Sequence, residues 1–155
     1  MKRVSVEEES LADFGLVVGL VERLLQELGE EGTDAGALDP EAVREGWERR
    51  GDGFCAFVAR SEAGAVVGLL TLVETFAIFA NGPYGIITEM YVAPEHRSGG
   101  VGRQLLDAAK RHGRSRGWSR LDVTAPESER WERTRRFYER EGFTFAGPKL
   151  KFVLR

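Results

Sequence analysis

The sequence predicts an α/β (α+β) protein: a mixed, mostly antiparallel central sheet with helices on both faces. Three observations carry that expectation. Residues 86–117 read as a buried strand, a tight glycine turn and an amphipathic helix. Residues 53–59 and 66–73 are almost wholly apolar and flank Ser61-Glu62-Ala63-Gly64, the pattern of a hairpin whose strands are covered on both faces. The element order is a strand, two helices, a meander, then strand–helix–strand–helix and two closing strands. Such an order needs helices on both sides of one sheet. At 155 residues the chain is expected to form a single domain, 1–155, with a core of its own.

Arg3 to Val6 reads as a short first strand. From Ser10 to about Leu28, Leu11, Phe14, Val18, Val21, Leu25 and Leu28 form a stripe at helical spacing. Residues 29–38 are polar and glycine-rich, the composition of a mobile connection. Asp39-Pro40 then starts a second helix to about Arg50, with Asp as N-cap, Pro in the first helical position, and Val43 and Trp47 facing inward. After the hairpin, residues 74–80 read either as more strand or as a loop over a cleft, and Asn81-Gly82-Pro83 turns the chain into the central strand. Val101, Leu105, Ala108, Ala109 and His112 mark the long helix, and Gly117 is placed to cap it. Residues 121–125 are the next strand, and Glu127 to Glu141 a helix ended by Gly142. Residues 143–145 and 150–154 are the closing strands.

Composition narrows the class of protein. No apolar run reaches membrane-spanning length, and no signal-peptide segment opens the chain. The one cysteine, Cys55, excludes an internal disulfide, and its apolar strand argues for a buried small hydrophobe rather than a nucleophile. These features predict a cytoplasmic protein that uses no membrane. Residues 1–50 carry 13 acidic against 6 basic side chains, and residues 95–155 carry 8 against 15. Two solvated faces of opposite sign would explain this. So would a basic half holding an anionic cofactor and an acidic half attracting a cationic amine. Nucleic acid fits poorly, because the basic residues are mixed with acidic ones and the whole chain is acidic. The sequence leaves open whether the protein is a monomer or a homodimer.

Arg97-Ser98-Gly99-Gly100-Val101-Gly102 cannot continue a strand. A glycine turn that opens a helix gathers backbone N–H groups at one spot, which suits a phosphate. No Lys follows the glycines, so the loop is not a Walker-type P-loop. The third glycine of a dinucleotide fingerprint is also missing. The pattern present is Arg-x-x-Gly-x-Gly (Arg97, Gly100, Gly102) preceded by Tyr91-Val92-Ala93-Pro94. It resembles the acyl-CoA pyrophosphate loop of the GNAT N-acetyltransferase superfamily. Phe137-Tyr138-Glu139-Arg140-Glu141-Gly142-Phe143 resembles that family's second signature. The likeness covers residues 53–155 well and the first 50 mainly by element order.

The resemblance implies acetyl-CoA as acyl donor and a GNAT-like fold. Arg97, Ser98, Gly99, Gly100, Val101, Gly102 and Arg103 would hold the pyrophosphate by backbone donors and adjacent charge. Met90, Tyr91 and Val92 would align the pantetheine arm like an added strand. Tyr138 would protonate the departing thiolate, a task for an acid of high pKa. Trp131 stands where the family usually has Asn, and Thr134 where it has Ala. Both Trp131 and Tyr138 also fit a plain core role.

Glu89 is a carboxylate inside an otherwise apolar strand. Period-two alternation allows it to face solvent. Alternatively it is a general base, enclosed enough to hold its proton more tightly than usual, that deprotonates the substrate ammonium directly or through water. Several members of this superfamily carry a glutamate on this strand, and Asp122 on the next strand is the rival. His96 and His112 have no metal-ligand pattern around them, so no metal is expected. No Gly-x-Ser-x-Gly elbow is present, which favours direct attack by the amine. The expected activity is acetyl transfer to a small-molecule or protein amine, and the alternative is an acyl-CoA-binding sensor without turnover.

Overall fold

The computed structural model describes residues 3–29, 38–125 and 129–154. By its contacts the chain divides into two compact units, 1–122 and 123–155.

The first unit is built on a five-stranded sheet in the order β1-β2-β3-β4-β5. Its strands are β1 (Val4–Glu9), β2 (Phe54–Ser61), β3 (Val66–Ala77), β4 (Gly82–Val92) and β5 (Leu121–Val123). Strands β1 to β4 pair antiparallel in sequence order. Ser119 N–H donates to the Pro83 carbonyl and Gly85 N–H to the Arg120 carbonyl, so the bonds climb both chains together. That is the sense of a parallel pair, and it makes the sheet mixed. The expected first strand runs three residues further than its composition suggested. Residues 74–77 continue β3, and a 3-10 turn at Ile78–Ala80 follows, which settles the strand-or-loop question.

Helices α1 (Phe14–Leu28) and α3 (Val101–Arg116) lie on opposite faces, as alternation along the strands shows. Val17 and Leu20 pack with Ala56, Val58, Leu69 and Tyr91. Cys55 and Phe57, which point the other way, meet His112 of α3. In α1 the buried positions are Val17, Val18 and Leu20, a line shifted from the expected stripe because Leu11, Phe14 and Leu28 lie toward the rim. Helix α2 (Pro40–Arg50) begins as its sequence requires, the Asp39 carboxylate accepting from the N–H groups of Glu41 and Ala42 at 3.1 and 3.4 Å. Trp47 faces inward against Phe14 and Phe54, but Val43 is exposed: one aromatic anchor suffices to hold so short a helix.

Helix α3 comes unusually close to the sheet at Gly68. A Cβ there would lie 3.0 Å from a Leu105 methyl and 3.2 Å from both a Val101 methyl and the Tyr91 carbonyl. The absent side chain lets the first turn of α3 rest on β3, which fixes the loop that precedes it.

In the second unit, a 3-10 turn (Glu129–Trp131) leads into α4 (Glu132–Arg140), and Gly142 follows at φ 98°. The expected start of this helix at Glu127 lies outside the described residues. The two closing strands do not form. Residues 143–154 carry no strand, and Phe145, Leu150, Phe152 and Leu154 are exposed. Alternating apolar residues favour a strand only where an edge pairs their backbone, so pattern alone overstated these elements.

Candidate functional site

The candidate site of the first unit follows β4 into α3. Pro94 ends the strand and a 3-10 turn, Pro94–His96, leads into the glycines. Ser98 (φ 64°) and Gly100 (φ 86°) both adopt the left-handed conformation. Gly100 does so without strain and serves as N-cap of α3, while Ser98 is a non-glycine residue held where few such residues settle. The helix's own ladder starts with Gln104 N–H on the Gly100 carbonyl at 3.1 Å. The N–H groups of Val101 and Gly102 therefore have no carbonyl four residues back within the helix and are directed to its open end. With the partial positive charge of the helix terminus, this is a cradle that fits a diphosphate.

Arg97 is placed differently from a simple anion ligand. Its two terminal nitrogens each donate to a Glu27 carboxylate oxygen at 2.6 Å, and its Nε donates to the Val92 carbonyl at 2.8 Å. The guanidinium also lies 5.9 Å from the centre of the Tyr91 ring. The Glu27 hydrogen bonds raise its already high pKa further. Arg97 thus straps the end of β4 to α1, and its charge is largely matched by Glu27. Nothing in the sequence singles out Glu27, which is 70 residues away in the chain.

Met90, Tyr91 and Val92 pair with Leu70, Leu69 and Gly68 of β3 along one edge. Within β4 the register against β3 breaks before this segment. Thr71 pairs with Glu89 but Leu72 pairs with Ile87, so Thr88 is the extra residue of a β-bulge. Glu89 lies on the α1 face, as Tyr91 does, and is half-buried. Its carboxylate accepts from the hydroxyl of Thr71, whose residue is 1% exposed. The Glu89 N–H donates to the same hydroxyl at 2.9 Å, and the Thr88 hydroxyl lies 2.7 Å from it. Thr71 and Thr88 escaped the sequence reading. The one available signal was a lone hydroxyl residue in the apolar run of β3.

Asp122, the rival base, is engaged by the Arg120 guanidinium at 2.7 and 3.2 Å. Its charge is already answered by Arg120, two residues back in the chain. His96 is half-buried beside the loop, not on the surface, and its Nδ1 has no hydrogen-bond partner among the described residues. His112 Nε2 approaches the Cys55 sulfur at 3.6 Å, and burial, with Glu8 nearby, pushes the Cys55 thiol up to about 12. Such a thiol is packing, not nucleophile. Among the described residues no cluster of three ligating side chains could hold a metal, and no helix is long and apolar enough to cross a membrane.

Tyr138 belongs to the second unit, on α4. It is buried, with Phe137 at 5.3 Å and Phe143 at 5.5 Å between ring centres, and burial raises its phenolic pKa. Trp131 precedes α4 as its N-cap residue.

Comparison with known proteins places this geometry. An IAA acetyltransferase of Azospirillum brasilense is 33% identical over 93 residues, 59% of this chain and 56% of that protein. The chain therefore matches just over half the length of that relative. An aminoglycoside acetyltransferase from an uncultured soil metagenomic sample superposes over 99% of both chains, with a TM-score of 0.81 and 21% identity. A predicted acetyltransferase from Clostridium acetobutylicum, solved with acetyl-CoA, covers 98% of this chain and 97% of its own, with a TM-score of 0.79 and 18% identity. At such identities the likeness speaks for the fold. The sequence profile of the acetyltransferase (GNAT) family matches residues 20–143, from α1 to the residue that follows Gly142. By that match, and with a mixed five-stranded sheet and a glycine loop at the head of α3, the chain belongs to the acetyltransferase (GNAT) family.

Proposed function

We propose that the protein transfers the acetyl group of acetyl-CoA to a primary amine by direct attack. The observation that carries this reading is the pairing of a diphosphate cradle at Gly100–Gly102 with a half-buried carboxylate, Glu89, one short strand segment away. The loop, Arg97 to Arg103, anchors the pyrophosphate, chiefly through backbone N–H groups. The arm runs along Met90, Tyr91 and Val92 and brings the thioester to the bulge. Glu89 takes the proton of the substrate ammonium, and the freed lone pair attacks the carbonyl. Fixed orientation of amine and thioester supplies much of the acceleration. Tyr138 protonates the departing thiolate. Its resemblance to the family's second signature supports that role, and a phenol whose pKa burial raises is protonated at neutral pH.

A cationic amine is the acceptor class best supported, given the acidic side chains of residues 1–50. Structural neighbours include an aminoglycoside acetyltransferase in complex with sisomicin and a ribosomal-protein-alanine N-acetyltransferase. A panel of sisomicin, spermidine, glucosamine 6-phosphate and a peptide with N-terminal alanine, scored by thiol release from acetyl-CoA, tests the reading. Turnover with at least one is expected, falling as salt rises if the amine is cationic. Glu89→Gln should depress it most at low pH, and Tyr138→Phe should lower it roughly 10- to 1000-fold with cofactor affinity little changed. Acetyl-CoA binding without turnover of any amine would make the protein a sensor. An unchanged pH profile in Glu89→Gln would promote Asp122.

A further inference from the structure

With Glu89 ionised, as a base must be before it acts, the hydrogen bonds at the bulge have only one consistent direction. An ionised Glu89 carboxylate can only accept, so the single proton of the Thr71 hydroxyl is committed to it. The two lone pairs of Thr71 Oγ1 then receive the Glu89 N–H at 2.9 Å and the Thr88 hydroxyl at 2.7 Å. Every bonding position of the buried hydroxyl is filled, which removes its freedom to rotate. The Thr88 proton must therefore point inward. Thr88 is exposed, and with its proton committed inward its oxygen is left as an acceptor.

That arrangement is a directed chain from the surface to a carboxylate. We propose that Thr88 and Thr71 relay the proton of the acceptor ammonium to Glu89, with Thr88 touching the substrate and Thr71 acting through both its neighbours. The inference rests on Glu89 being the base of the proposed acetyl transfer. One ammonium N–H transfers its proton to Thr88 Oγ1, Thr88 passes its own to Thr71 Oγ1, and Thr71 passes its own to Glu89. The amine keeps the electron pair with which it attacks the thioester, both threonines end neutral, and Glu89 ends protonated. Glu89 releases that proton to solvent after turnover, and the two hydroxyls turn back. The bulge is what brings the two hydroxyls together. Without the bulge, Thr88 and Glu89 would point to opposite faces, and the Thr88 hydroxyl could not meet the one that serves Glu89.

The test uses the full chain, acetyl-CoA and whichever amine of the four-member panel turns over fastest. Thr88→Val and Thr71→Val keep shape and remove the hydroxyls. Each should lower kcat roughly 10- to 100-fold with KM for acetyl-CoA unchanged, while Thr88→Ser and Thr71→Ser restore it. In mixtures of light and heavy water, wild-type kcat should bend with deuterium content, as a concerted transfer of several protons requires, and the Thr88→Val plot should be straight. Thr88 is exposed, so its variant keeps the test clean if Thr71→Val fails to fold. If Glu89→Gln is slow while Thr88→Val turns over like wild type, the relay is wrong and Glu89 acts alone. If Glu89→Gln is itself as fast as wild type, the reading of Glu89 as base fails first, and the relay with it.

Discussion

The loop at the head of α3 and the bulge in β4 sit on one strand–turn–helix unit, yet they are built in opposite ways. The loop is local. Gly100 at φ 86°, the start of the α3 ladder at Gln104 and the close seating of Val101 on Gly68 hold it in shape, and backbone groups supply its chemistry. The bulge is made from side chains brought together across two strands, with Thr71 buried beneath Thr88 and Glu89. A backbone cradle tolerates changes of side chain but not of conformation. A side-chain relay tolerates neither the loss of a hydroxyl nor a slip of one residue in register. The two parts of the site should therefore fail separately and by different kinds of substitution.

The largest effect should come from Gly100→Pro. Proline cannot reach a φ of 86°, so the turn that aims the first N–H groups of α3 must open. Acetyl-CoA binding measured by calorimetry should be lost, while far-ultraviolet circular dichroism and the strands around the bulge persist. Retained affinity would mean that the anion is held elsewhere, and the contrast between the two regions would collapse.

The same contrast explains what could be read from the sequence. The loop, the Asp39 cap and the Gly117 terminator depend on residues a few positions apart, so spacing exposes them. Glu89 could be picked out because a carboxylate is conspicuous among Ile86, Ile87, Met90 and Tyr91. Its partner could not, because the pairing of Thr71 with Glu89 is a property of register between distant segments. Thr71 looks like one more strand-forming residue between Leu70 and Leu72. The Glu27–Arg97 strap was hidden for the same reason. Residues 150–154 erred in the other direction: their apolar character is real, but a strand also needs an edge to pair with.

A smaller effect concerns the alkaline side, where the Tyr138 acid would be studied. The Cys55 thiol, pushed up to about 12 by burial, keeps its proton in the folded protein where the unfolded chain has already lost it. Its contribution to stability is complete below about pH 9 and disappears as pH rises through the folded value, on the order of 1 kcal/mol by about pH 10. Tyr138 shifts in the same direction and adds to the loss. The urea midpoint should fall as pH rises above about 9, and Cys55→Ala should remove part of that fall. At neutral pH the thiol should resist a disulfide reagent until the protein is unfolded. A thiol that reacts readily in the native state would mean that β2 opens, and alkaline rates could then not be assigned to either region of the site.

The smallest effect, and the one that draws the line between the regions most finely, is that of Glu27→Gln. Arg97 can be a strut, holding the strand end to α1, or a charge reserved for the diphosphate. The geometry favours the strut, because Glu27 takes two of its donors and Val92 a third. The pair is partly exposed, with side-chain exposures of 40% and 28%, so its loss should cost no more than about 1 kcal/mol of stability. Glutamine keeps one hydrogen bond to the guanidinium and removes the negative charge, and the Val92 carbonyl still holds Nε. A strut so retained leaves the loop in place while its surroundings become one unit more positive. The dissociation constant for acetyl-CoA should therefore fall about twofold at low ionic strength, and the gain should disappear at about 1 M salt, where the Debye length is only about 3 Å. Turnover at saturating acetyl-CoA should not move, since the bulge is untouched. If affinity drops instead, Glu27 shapes the cradle through Arg97, and the loop is no longer a structure that its own backbone holds in place.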